Sequence, residues 1–126
     1  MSHAQPIAGN VRTFTSGATI PAFSRVRLNS GSLAVAGLTD DDEVGYTIED
    51  SVSGDSVGVV LRTATGTVRA IAAAAISEGA YVYTAADGEV TVSASTAYPR
   101  GIALEAATAD QDVIEILPLW DETAVA

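Results

Sequence analysis

Apolar and polar residues alternate in short runs along most of the chain, and each run ends in a cluster of Gly, Ser, Asn or Asp. In GEVTVSA, Val90 and Val92 fall on one face while Glu89, Thr91 and Ser93 fall on the other, the period-two pattern of a half-buried strand. RVRLN, SLAVA, GYTIED, SVGVVL, TVRAIA, AYVYTA, GIALEA and DVIEILPL read the same way, mostly rich in β-branched or aromatic residues. Asp87-Gly88 within AADGEV predicts a two-residue hairpin, and NSGS is its counterpart earlier in the chain. The stretch RAIAAAAISEGA has a competing helical reading, because Ala is the best helix former. It is short and is followed by Gly79, so a strand plus a loop is expected there. Numerous short strands at this spacing predict an all-β fold, a compact β-barrel or sandwich.

The pattern is also written twice. GYTIEDSVSGDSVGVVL (45–61) and GIALEAATADQDVIEILP (101–118) both open with Gly, an apolar residue and a small one, and both carry Glu fifth, at Glu49 and Glu105. Each then crosses an acidic, small-residue stretch into an aliphatic run. Upstream, Ile20 lies over Ile76, Val26 over Val82, Gly31 over Gly88, Leu33 over Val90 and Val35 over Val92. Further back, VRTFTSGATI lies over VRAIAAAAI, so that Val11 is set against Val68. The offset stays at 56 or 57 residues, with slips in loops where insertions are tolerated. The expected organisation is a flexible arm over residues 1–10 and a single β domain over 11–119, followed by a tail over 120–126. The domain is an internal tandem duplication with halves of about 9–61 and 66–117 sharing a core.

Composition narrows the function. Hydrophobic residues make up 48% of the 126 and charged residues 17%, a folded rather than disordered balance. All six basic residues are Arg, against sixteen acidic ones, for a net charge of -10. Nucleic-acid phosphates and anionic membranes both attract cations, so neither is an expected partner. Cysteine is absent, which removes disulfides and thiolate metal sites. The N-terminus lacks a basic start with an apolar stretch behind it, and the longest apolar run, Ala70–Ile76, is too short for a membrane helix. A soluble protein without a signal peptide is expected.

Candidate chemistry is sparse. The lone histidine, His3, lies in the polar N-terminal arm, a poor place for acid–base work that needs fixed geometry. No phosphate-cradling glycine motif follows a strand, and no Ser or Thr has an evident base beside it. Asp40–Glu43 crowds four carboxylates into one loop, which could hold a hard cation such as Ca²⁺, although consecutive charges on a loop usually face water. Glu49 and Glu105 invite a glycosidase-like pair, yet duplication alone would make them equivalent. Neither a catalytic residue, a metal site nor a cofactor is expected. Trp120, outside the repeat, suits an anchor on a neighbouring surface or a lid over the protein's own core.

The order of features in SEGAYVYTAADGEVTVS…YPRGIALEAATADQDVIEILPL resembles the small cement, or head decoration, proteins of tailed bacteriophages. The likeness is strongest over Ile76–Leu119, weaker over Val11–Leu61, and leaves out the N-terminal arm and the acidic loop. It implies a compact β fold, often a homotrimer. Such a protein sits on the outer surface of the expanded head at local threefold positions, where it bridges major capsid protein subunits against internal DNA pressure. It implies no enzyme, synthesis in the host cytoplasm, and the major capsid protein and sister copies as partners. Contact residues are expected outside the repeat: His3, Gln5, Pro6 and Ile7 in the arm, and Leu119 and Trp120 at the other end. The rival reading is a carbohydrate-binding or tail-associated β module, with Tyr81 and Tyr83 as a small stacking platform.

Overall fold

Ten short strands account for the alternating runs in the computed structural model, which describes residues 10–119 and 123–125. Strands β1 (Val11–Thr15), β2 (Arg25–Asn29), β3 (Ser32–Val35), β4 (Gly45–Thr47) and β5 (Ser56–Leu61) form one sheet, in the order β1-β5-β4-β2-β3. Strands β6 (Val68–Ile71), β7 (Tyr81–Thr84), β8 (Val90–Thr91), β9 (Pro99–Ala103) and β10 (Val113–Pro118) form the second, in the order β6-β10-β9-β7-β8. All ladders are antiparallel, and the second order repeats the first strand for strand. The fold is all-β and built from an internal duplication.

The registers repeat as well. Arg25 pairs with Tyr46 and Tyr46 with Val60 in the first sheet, as Tyr81 pairs with Ile102 and Ile102 with Leu117 in the second. Each sheet is drawn round on itself by a parallel bridge between its first and third strands, Ser16 to Leu33 and Ala72 to Val90. A second bridge, Ile20 to Ser51 and Ile76 to Ala107, recurs in both halves. The first strand differs from the sequence alignment by one place. Arg12 opposes Val59 as Val68 opposes Ile116, so Arg12, not Val11, is the counterpart of Val68. A slip of one residue exchanges the two faces of a strand, and the shared Val-Arg dipeptide is therefore misleading.

Core residues follow the alternation: Val57 and Val59 in β5, and Ile114 and Ile116 in β10, are buried. The expected shared core is instead two clusters. One gathers Ile20, Val26, Leu33, Val57 and Val59, the other the corresponding second-half residues together with Tyr46. Tyr46 thus belongs by sequence to the first half and by packing to the second. Strand β8 stops at Thr91, where the chain bends, so Val92 is exposed rather than sharing a buried face with Val90. The Ala-rich stretch is strand followed by loop. The two-residue hairpin occurs at Ser30-Gly31, both at positive φ, whereas Asp87-Gly88 lies in a wider turn from Ala85 to Glu89.

The repeated glycine and the repeated acidic turn have structural causes. A Cβ at Gly45 would lie 1.9 Å from the Val60 carbonyl oxygen, and one at Gly101 would lie 2.3 Å from that of Leu117. Only glycine lets these strands approach so closely. Asp55 accepts the Val52 N–H at 3.0 Å, and Asp112 accepts the N–H groups of Thr108 at 2.8 Å and Ala109 at 3.2 Å. These carboxylates satisfy turn donors that would otherwise need water.

Candidate functional site

The acidic loop is the feature that folding changes most. Glu43, the last residue of TDDDE, is fully buried between two arginines, one from each half. Arg25, on β2, donates to Glu43 Oε2 at 2.5 Å; Arg100, on β9, donates to Oε2 at 2.7 Å and to Oε1 at 2.8 Å. Arg25 also donates to the carbonyls of Gly37 at 3.1 Å, Ala85 at 2.6 Å and Glu89 at 3.0 Å, so it binds backbone of both halves. Arg100 donates to the Pro99 carbonyl at 2.6 Å. The planar guanidinium is suited to this role, because its fixed fork of donors can be met by a carboxylate and several carbonyls at once.

Burial alone would push the Glu43 carboxyl up. The hydrogen bond from Arg100 and the charges of Arg25 and Arg100 outweigh it and hold the group below the usual carboxylate range. Burial pushes the neighbouring Tyr46 phenol well above its ordinary value. Two further contacts cross between the halves: Gly88 N–H to the Ala36 carbonyl at 2.8 Å, and the Thr84 hydroxyl to the Leu38 carbonyl at 2.6 Å. Buried charge of this kind is costly to desolvate and adds little net stability. Removing one member would strand the others without a counter-charge, so the group ties the docked halves together.

The remaining carboxylates of the loop are dispersed. Asp42 makes a two-pronged contact with Arg27 at the surface, which holds its carboxyl low, and Asp40 accepts the Gly37 N–H at 2.7 Å. No group of three or more potential metal ligands occurs among the described residues. Glu105 accepts the Glu115 N–H at 2.8 Å and lies 3.7 Å from Arg69, while Glu49 is exposed at the matching place in the other half. A groove of about 520 Å³ is lined by Asp41, Asp42, Glu43, Val44, Leu61, Arg62 and Thr63. Another, of about 370 Å³, lies between Ile20 and Asp55. Neither gathers the Glu49 and Glu105 carboxylates.

Apolar side chains stand exposed on the second sheet. Tyr81 and Leu117 stand open on the outer face of the second sheet, flanking Ile102 in one cross-strand row. Tyr83 is only partly exposed. Of the expected contact residues, Leu119 is exposed and anchored by its N–H to the Arg100 carbonyl at 2.9 Å. His3, Gln5, Pro6, Ile7 and Trp120 lie outside the described residues.

A family model for phage cement proteins matches residues 7–118. The chain belongs to the phage cement protein family. Among solved structures it is similar to the head fiber gp8.5 N base of bacteriophage phi29, with a TM-score of 0.73 and 16% identity. That match covers 92% of this chain and 97% of the other, and at such identity it speaks for the fold. No curated protein matches the sequence. Membership makes the chain a phage capsid-associated protein of a structural family. The buried Arg25–Glu43–Arg100 group was not read from the sequence. One signal was available: the repeat sets Arg25 against Tyr81, so a charge stands in one half where an aromatic stands in the other.

Proposed function

We propose that this protein is a capsid cement: a homotrimer, made in the host cytoplasm, that binds the outer surface of the expanded head and bridges neighbouring major capsid protein subunits. The reading rests on membership of the cement family along nearly the whole chain. Two halves joined through a buried ion group suit a bridge that must hold its shape under load. A net charge of -10 suits docking onto basic patches of a shell and sets orientation and encounter rate.

The mechanism is thermodynamic. A protein that binds the expanded shell and not its precursor stabilises the expanded state by mass action. Three copies held together convert weak contacts into a strong attachment through effective concentration. The contacts are placed on the N-terminal arm (His3, Gln5, Pro6, Ile7) and the C-terminal stretch (Leu119, Trp120), which lie at or beyond the ends of the duplicated strands.

The decisive experiment mixes purified protein with expanded heads that lack it, and measures occupancy by microscopy and head survival on heating. Saturable binding with raised heat resistance is expected. Absence of binding to expanded heads overturns the reading. Glycan binding in its place would point to the carbohydrate module with Tyr81 at its centre.

A further inference from the structure

The duplication supplies a template for an interface that the single chain leaves open. Arg25, Tyr46 and Val60 form a row across the outer face of the first sheet, and the second half is packed on that row. Tyr46 is 1% exposed, and both it and Val60 contact the second core cluster. The corresponding row on the second sheet is Tyr81, Ile102 and Leu117. There Tyr81 is 58% exposed and Leu117 46% exposed. The same place in the repeat is sealed in one half and bare, with apolar side chains, in the other.

The opposite side of the template shows the same contrast. The Ala85–Glu89 turn of the second half seats on the first: its Gly88 N–H meets the Ala36 carbonyl, and a Cβ there would lie 3.0 Å from the Arg25 carbonyl oxygen. The matching turn of the first half, Ser30-Gly31, faces open space, with no atom within 4 Å of a Cβ at Gly31. Beside it Leu28, the counterpart of the buried Thr84, is exposed, as is Val11 at the start of β1.

We propose that the Tyr81–Ile102–Leu117 row receives the Leu28–Gly31 end of a second copy of this chain, repeating between copies the step that joins the halves within one. The contact is head-to-tail, joining different surfaces on the two copies, and such a contact either closes into a ring or runs on as a filament. With the three copies of the proposed function, on which only the number rests, the ring contains six similar halves. Tyr81 replaces Arg25 at this junction, so no buried ion group forms. The interface is apolar and aromatic, as befits copies that must meet from solution.

Native mass spectrometry and light scattering, without capsids, test this. The wild-type protein is expected as one discrete oligomer of three 12.8 kDa chains. Tyr81→Glu with Leu117→Glu, and separately Leu28→Glu, should each give monomers, a threefold drop in mass. Mixing the two variants should give a one-to-one dimer and nothing larger, because each keeps one intact surface and only a head-to-tail contact can be rescued this way. A monomeric wild type, a row variant that keeps the wild-type mass, or variants that stay monomeric when mixed would overturn the proposal. Open polydisperse chains would overturn the ring. Circular dichroism confirms the fold of each variant, and Tyr81→Ser replaces the double variant if that one does not fold. Since no heads are present, an oligomer that fails to bind heads would count against the cement reading alone.

Discussion

Tyr46 and Ile102 occupy the same station in two sheets of identical strand order, but their surroundings are opposite. Tyr46 is enclosed by the neighbouring half beside a buried Arg25–Glu43–Arg100 group, whereas the row containing Ile102 borders solvent through Tyr81 and Leu117. The two halves therefore share a backbone plan and differ in what covers it. Strand pairing, glycine placement and turn-closing aspartates are common to both, because each half must close its own sheet. The ion group and the bare row are each found once, because a tandem pair has one internal junction and two ends.

The largest expected effect comes from breaking that junction. Glu43→Gln leaves two buried guanidinium groups short of a counter-charge and should cost about 3–5 kcal/mol in denaturant unfolding. A loss below about 1 kcal/mol would show that the group does not fix the halves. The same carboxyl carries an acid signature. Its folded pKa lies below its ordinary value of 4.5, so its contribution is complete above that pH and is lost as pH falls through the folded value. Wild-type stability should therefore decline more steeply below about pH 4.5 than that of Glu43→Gln, as read from urea midpoints.

Paired substitutions sharpen the contrast between covered and uncovered rows. Tyr46→Ala should cost about 3–5 kcal/mol, the range for deleting a buried aromatic side chain. Tyr81→Ala, measured on a Leu28→Glu background that removes the head-to-tail contact, should change stability by no more than about 0.5 kcal/mol. Equal costs would mean that the rows are not differently covered. Where the halves are alike, the effects should converge. Gly45→Ala and Gly101→Ala both drive a methyl group into a neighbouring carbonyl and should each cost at least about 1–3 kcal/mol. A tolerated alanine at one of them would break the equivalence. The smallest difference is at the acidic turns. Asp112→Ala loses bonds to Thr108 and Ala109 and should lower the urea midpoint slightly, with Asp55→Ala, which loses one such bond to Val52, lowering it less.

Most of the architecture was legible because it is local. Alternation in SVGVVL and DVIEILP reports a face turned to a core, and Gly45, Gly101, Asp55 and Asp112 mark places where backbone geometry admits few residue types. Three local readings misled for definable reasons, the first being the shared face of Val90 and Val92, which ends at the bend after Thr91. The Val-Arg dipeptides at Val11 and Val68 match in letters, but the hydrogen-bond register sets Arg12 against Val68. Asp87-Gly88 has the residues of a tight hairpin, yet the turn widens where Gly88 seats against the first half.

The sequence by itself determined the all-β class, the duplication, the strand positions and the resemblance to cement proteins, since each is written in neighbouring residues or in the recurrence of a segment. Tertiary structure alone decided that Glu43 is an internal counter-ion and not one more solvated acid. It also decided that the hydrophobic interior is two clusters, and that one of two matching rows is left bare. Those outcomes depend on how one half packs on the other, which brings Arg25, Glu43 and Arg100 together across 18 and 57 residues of chain. Burial, and with it the chemistry of a charge, belongs to the assembled surroundings and not to the residue.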